Sequence, residues 1–264
     1  MDFELWEHNR EFGLPQVFVD QLEVLAKNVK DNRVDCLGLL VGGERLGKST
    51  LQSRIALCLG TFLDTDVVLQ RDYHYDLINY ISDLLKAYRP VKGGQHLIKV
   101  YDEPVLGAHA RKWNSDRNTL LNMTFATIGY KYLTMLASIP SFFMLDSMVR
   151  EHRVAFLCKV HGYVGDDGMV QKGYFSLYNG AAVKKIYKDQ KTRQTIWPST
   201  KYKYLRFDSL EGTEFWNEYE VFSADSKQKV NEDLLEALVE VRKAGSKFSK
   251  KEEEAVKALV GGLE

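Results

Sequence analysis

Gly42, Gly47, Lys48 and Ser49 stand at the spacing G-x-x-x-x-G-K-S inside the stretch GGERLGKST. These residue types at this spacing make a cradle for a phosphate chain. Glycines let successive backbone N–H groups turn inward on anionic oxygens, and the positive end of a following helix adds to their field. In such a loop Lys48 reaches the outer phosphates and the Ser49 hydroxyl ligates Mg²⁺. Gly43, Glu44, Arg45, Leu46 and Thr50 complete the stretch that wraps the nucleotide. A second reactive group follows downstream, where the apolar run Leu97–Tyr101 ends in the acidic pair Asp102–Glu103. A nucleotide-hydrolysing site needs one carboxylate in the Mg²⁺ shell and a neighbour to orient or activate water. Side chains alternate along a strand, so two adjacent acids point in different directions. That assigns Asp102 to Mg²⁺ and Glu103 to the water. A glycine-rich turn and an acidic strand end each arise for plain structural reasons; it is their occurrence together that favours a nucleotide site.

Three further groups have two readings each. Ser138 falls at the carboxyl end of an apolar strand, where a γ-phosphate sensor would sit, but a polar residue there also serves a turn. Arg150 and Arg153 close a helical stretch, where positive charge is favourable in itself; the same position can present an arginine finger to a neighbouring subunit's nucleotide. Tyr73, His74 and Tyr75 can contact a base or ribose, or simply pack a loop.

These groups need a frame, and the periodicities supply one. Pro15–Lys30 carries apolar residues at helical spacing, suited to covering a sheet edge. Arg33–Val41 reads as a buried strand and Lys48–Leu59 as the helix after the loop. Asp66–Gln70 is a short β-rich run, Tyr75–Tyr88 a helix, and Pro90–Gln95 a turn introducing the strand Leu97–Tyr101. A basic loop, Gly107–Asn118, precedes the helix Thr119–Gly129 and the strand Lys131–Ser138. Ser141–Arg153 reads as helical and Val154–Val160 as a strand. Gly165–Gly168 turns a hairpin between Lys159–Val164 and Met169–Tyr178. Phe215–Ala244 is a helix, or two with a break near Ser223–Ser226, and Ser249–Val260 is a last short helix. The alternation predicts an α/β fold: a mostly parallel sheet with antiparallel edge strands and a helical C-terminal extension. Residues 1–210 are expected to form one domain, with its core at 33–178 and a basic extension at 181–207, and 211–264 a helical tail.

Composition narrows the rest. A chain of 264 residues that is 45% hydrophobic can bury a sizeable core. Lys+Arg and Asp+Glu balance at 36 each, so a nucleic-acid surface must come from uneven distribution. Ala181–Phe207 supplies that unevenness: Lys184, Lys185, Lys188, Lys191, Arg193, Lys201, Lys203 and Arg206 interleave with Tyr187, Trp197, Tyr202 and Tyr204. Such a mixture suits a phosphate backbone and stacked bases, or equally a solvated extension. Cys36, Cys58 and Cys158 lie in apolar runs without metal spacing, as buried free thiols of a reducing compartment do. No opening segment reads as a signal peptide, and no apolar run reaches the ~18 residues of a membrane span, so a cytoplasmic protein is expected.

In the order of its parts the sequence resembles the FtsK/HerA branch of phosphate-loop ATPases, and within it the small ATPases of viruses and mobile elements, including packaging-type and zonula-occludens-toxin-like proteins. The resemblance rests on GGERLGKST, on the strand ending in Asp102–Glu103, and on YLTMLASIPSFFMLDSMVREHRVAFLCKV. It spans roughly Arg33–His161. Ala137–Ser138 stands where that branch usually has a polar Gln or Thr-Gln, and Pro104 after the acids is unusual for it. The resemblance implies a RecA-like core that works as a homo-oligomeric ring, hydrolyses ATP with Mg²⁺ at subunit interfaces, and moves DNA or a protein or virion component. It implies host cytoplasm for a viral member, with a virion or membrane machine as partner. Two other classes share the loop: a nucleoside- or nucleotide-kinase-like phosphotransferase, using Arg71–Asp72 and the Arg111–Arg117 loop, and a nucleotide-dependent assembly scaffold.

Overall fold

The computed structural model describes residues 8–32, 34–87, 96–102, 119–126, 132–164 and 168–243, with only the backbone at 230, 231 and 233–243. A minimal pairing of β1 (His8–Asn9) with β2 (Leu14–Pro15) leads into helix α1 (Gln16–Asn32). Then come β3 (Cys36–Val41), α2 (Lys48–Leu63), α3 (Leu69–Asp72), β4 (Tyr73–His74), α4 (Leu77–Ala87) and β5 (Leu97–Tyr101). Helix α5 (119–126) precedes β6 (Leu133–Ile139), a 3₁₀ turn at Phe142–Met144 and α6 (Ser147–His152). The chain continues through β7 (Val154–Val164), β8 (Val170–Asn179), α7 (Gly180–Val183), β9 (Tyr187–Lys188), β10 (Thr195–Ile196), β11 (Leu205–Arg206) and α8 (Glu214–Lys243).

Seven strands form the central sheet in the order β11-β8-β7-β3-β6-β5-β4. The pairs from β7 to β4 are parallel, and β8 and β11 add antiparallel strands at one edge. Strand β6 therefore separates the loop strand β3 from the acidic strand β5. Both faces are covered, so β3 and β6 are buried along their whole length and read as continuous apolar runs. Alternation divides them between two cores. Cys36 and Leu40 face a cluster with Phe18, Leu51, Ile55 and Phe175, whereas Leu37, Leu39 and Val41 face one with Tyr80, Leu84, Phe125 and Val149. Helix α1 lies across a sheet face rather than an edge: Phe18 touches the rings of Phe156 on β7 and Phe175 on β8.

Three expectations give way to tertiary structure. Asp66–Gln70 is not a strand: residues 65–68 are irregular and Leu69–Asp72 is a helical turn. The buried Asp72 carboxylate accepts from the Val68 N–H and pairs with Arg71 and Lys99, which folds the segment back on itself; pairing with β5 starts only at Tyr73. Ser141–Arg153 is interrupted because Asp146 caps the Met148 N–H and starts α6 afresh. Helix α8 runs unbroken through 223–226. Phe215, Tyr219 and Phe222 recur at helical spacing on one face and set their rings against Tyr73 and Tyr75. The turns at 90–95 and 165–167, the loop 107–118 and the helix expected at 249–260 lie outside the described residues. No helix among the described residues is long and apolar enough to cross a membrane.

Candidate functional site

The glycine-rich segment joins the carboxyl end of β3 to the first residue of α2, where parallel sheets gather their ligand sites. Glycine is required at two positions. Gly47 caps α2 with φ 94°, a conformation L side chains avoid, and a Cβ there would lie 3.2 Å from the Phe207 ring. A Cβ at Gly42 would lie 2.7 Å from the Val160 carbonyl oxygen. The Lys48 side chain folds back into the loop, where its Nζ donates to the carbonyls of Gly42 and Gly43, both at 2.9 Å. Arg54, two turns along α2, donates to the carbonyls of Phe12, Asp208 and Ser209. It thereby fixes the segment after β11 beside the loop.

Asp102 follows directly on β5 and is 2% exposed. Its backbone N–H donates to the His74 carbonyl at 3.0 Å, which anchors it to the edge strand. Its carboxylate accepts a hydrogen bond from the Tyr219 hydroxyl of α8. Ser49 lines the same cleft as Tyr219. Burial first, and then the negative charge of Asp102, push the Tyr75 and Tyr219 hydroxyls well above the ordinary phenol range; Tyr73 shifts the same way, mainly through burial. All three stay neutral around the carboxylate. A cleft of about 1280 Å³ opens over the loop, lined by Glu44, Arg45, Gly47, Lys48, Ser49, Thr50 and Asp102 and walled by Lys172, Arg206, Phe207, Trp216, Tyr219 and Lys227.

Ser49 and Asp102 fit a single Mg²⁺, because a hydroxyl and a carboxylate, both oxygen donors, line one cleft beside Tyr219. Among the described residues no group of three or more His, Cys, Asp or Glu side chains gathers. An ion that arrives with a nucleotide needs only one or two protein oxygens, the phosphates and water supplying the rest.

Glu103 lies outside the described residues. Ser138 is fully buried, away from the cleft, and its hydroxyl donates to Gln52 Oε1 at 3.0 Å. The Gln52 amide donates in turn to the Tyr101 carbonyl at 3.1 Å, so a polar relay runs from β6 through α2 to the residue before Asp102. Arg150 donates to the Leu145 carbonyl at 2.9 Å and lies over the Phe143 ring at 4.8 Å. Arg153 donates to the Phe125 carbonyl at 2.9 Å and pairs with Asp35 at 2.5 Å. Asp35 precedes β3 and Arg153 precedes β7, so this ion pair sits at the amino edge of the sheet, a strand's length from the loop. Tyr73 and Tyr75 are buried as the seat of α8.

Sequence reasoning missed Gln52, Lys172 and Tyr219. Gln52 had a faint signal, a polar residue four positions after Lys48 in an apolar helix. Lys172 and Tyr219 had none, since each reaches the cleft from a distant part of the chain.

Fold and site together define an α/β protein with a cleft at the carboxyl edge of a mostly parallel seven-stranded sheet. No family model matches this chain, and no curated protein matches it.

Proposed function

We propose that this protein is a Mg²⁺-dependent ATPase with a RecA-like phosphate-loop core, working as a homo-oligomeric ring that moves DNA, as the FtsK/HerA-like ATPases it resembles do. The observation that carries this reading is the placing of Ser49 and Asp102 in one cleft beside the loop, with β6 between β3 and β5. On this reading the backbone N–H groups of Gly43–Ser49 take the β and γ phosphates. Lys48 exchanges the carbonyls of Gly42 and Gly43 for phosphate oxygens, replacing neutral hydrogen bonds with charge-assisted ones. Ser49 and Asp102 would hold Mg²⁺, which when bound would supply charge neutralisation at the phosphates. Glu103 orients the attacking water. For a positive charge on the γ-phosphate, Lys172 and Arg206 already line the cleft. Arg150 and Arg153 would first have to leave Leu145 and Asp35 before either could serve a neighbouring subunit.

Support for DNA is the basic stretch, in which Lys184, Lys185, Lys188, Lys191, Arg193, Lys201, Lys203 and Arg206 are all exposed. Of the residues the kinase-like alternative uses, Arg71 and Asp72 bond to each other, and the Arg71 guanidinium also donates to the Asp66 carbonyl, while the Arg111–Arg117 loop lies outside the described residues. The test is ATP turnover measured against protein concentration, with and without DNA, together with the mass in solution. Turnover per subunit should rise with concentration and with DNA, the DNA effect should fade as salt rises, and Lys48→Ala should abolish it. Turnover indifferent to both concentration and DNA refutes the ring motor, and phosphate transfer to a nucleoside or nucleotide would establish the kinase.

A further inference from the structure

Tyr219 stands where two ligands of one ion should meet. Its hydroxyl donates to the Asp102 carboxylate, Ser49 lines the same cleft, and 4% of the residue is exposed. The ring is fixed from two sides, stacked on Trp216 at 4.7 Å and edge-on to Tyr73 at 5.9 Å. The same helical face adds Phe215 against Tyr73 and Phe222 against Tyr75, and Lys227 lies over the Tyr75 ring. Trp216, Tyr219, Ser223 and Lys227 therefore form one wall of the cleft, all from the first turns of α8. Mg²⁺ draws on the lone pairs of its protein ligands at about 2.0–2.1 Å. A phenolic hydroxyl already bonded to Asp102 beside Ser49 and an ion held by both side chains cannot share that space.

We propose that the first turns of α8 are a plug built into this chain: Tyr219 occupies the place between Ser49 and Asp102 that a nucleotide-borne Mg²⁺ must take. Loading the site and lifting α8 are then one event. The C-terminal helix reports the nucleotide state of the loop, and the aromatic seat at Tyr73 and Tyr75 is uncovered only when the site is loaded. This rests on the reading of the cleft as a Mg²⁺-nucleotide site.

The test uses the full chain and a fluorescent ADP, titrated with Mg²⁺ and again with EDTA, on wild type, Tyr219→Phe and Lys48→Ala. Hydrogen exchange of the amides at 214–223 is followed on wild type alongside. Tyr219→Phe removes only the phenolic oxygen and keeps the ring in its packing. A hydrogen bond to a charged group is worth one to two decades, so the factor by which Mg²⁺ tightens binding should rise about tenfold or more over wild type. Affinity in EDTA is the reference from which each protein's Mg²⁺ factor is taken, and Mg²⁺-ADP should speed exchange at 214–223. The proposal requires both results. An unchanged or smaller Mg²⁺ factor in Tyr219→Phe overturns it, making Tyr219 a group that steadies Asp102 in the loaded site. Unchanged or slower exchange at 214–223 in wild type overturns it independently of how the variant folds. If ADP binds neither wild type nor Tyr219→Phe, with or without Mg²⁺, the nucleotide reading falls and the plug with it.

Discussion

Ser138 can be a phosphate sensor or a strut, and replacing it together with Gln52 separates the two. Ser138 is fully buried and its hydroxyl donates to Gln52 Oε1, while the Gln52 amide donates to the Tyr101 carbonyl. Ser138→Ala deletes one neutral hydrogen bond and leaves a buried amide oxygen short of a donor, a loss of about 1–2 kcal/mol. Gln52→Leu keeps the volume but strands two buried groups, the Ser138 hydroxyl and its share of the Tyr101 carbonyl, at about 2–4 kcal/mol. Because the serine's loss is contained in the glutamine's, Ser138→Ala made in the Gln52→Leu background should cost almost nothing further, a coupling of about 1 kcal/mol. The assay is urea unfolding of the four proteins. With a urea slope of about 3 kcal/mol per molar for a chain of this size, Ser138→Ala moves the midpoint down by about 0.3–0.7 M. Mg²⁺-nucleotide affinity should fall in Gln52→Leu, which frees the residue before Asp102, and hold in Ser138→Ala. Additive losses, or a Ser138→Ala protein of full stability and reduced turnover, would refute the relay and restore the sensor.

Gly47→Ala places a Cβ at φ 94° and 3.2 Å from the Phe207 ring, so it should cost about 1–3 kcal/mol of stability and most of the nucleotide affinity, read by urea unfolding and nucleotide titration. His161 donates to or accepts from Ser176 at 2.8 Å, and burial and then the Lys159 cation push it from 6.5 down to about 4. The folded value is depressed, so the unfolded chain takes up the proton first; stability should fall as pH drops from 6.5 toward 4 and level off below. Urea midpoints across that range should fall less steeply in His161→Gln, with a residual slope from His74 and His96, which burial also depresses. Cys36, Cys58 and Cys158 are buried, and burial raises the first two thiols to about 12 and the third well above its ordinary value. Ellman's reagent at pH 8 should therefore label them only in denaturant, and rapid labelling of the folded chain would contradict the core assignment.

Local signals carried the sequence reading a long way. The loop, the buried strand before it and the helix after it are legible because glycine spacing, an apolar run and a 3.6-residue period all lie within thirty-odd neighbouring positions. Strand β5 with Asp102 at its tip and the β7–β8 hairpin were legible for the same reason. The Asp66–Gln70 run shows the limit of propensity. Its β-rich residues yield to Asp72, whose buried carboxylate needs Arg71, Lys99 and the Val68 N–H.

Sequence alone settled which residues can make a phosphate loop and which acid can stand beside it, because backbone freedom and side-chain chemistry belong to each residue wherever it folds. Only the tertiary structure decided what those residues meet. The insertion of β6 between β3 and β5, the tie from Arg153 to Asp35, the arrival of Arg206 at the cleft and the bond from Tyr219 to Asp102 join parts of the chain that share no local pattern. An arginine or a tyrosine carries no mark of its partner. That choice falls to the packing of the chain, which turns Arg153 toward a carboxylate at the amino edge and sets Tyr219 against Asp102 in the cleft.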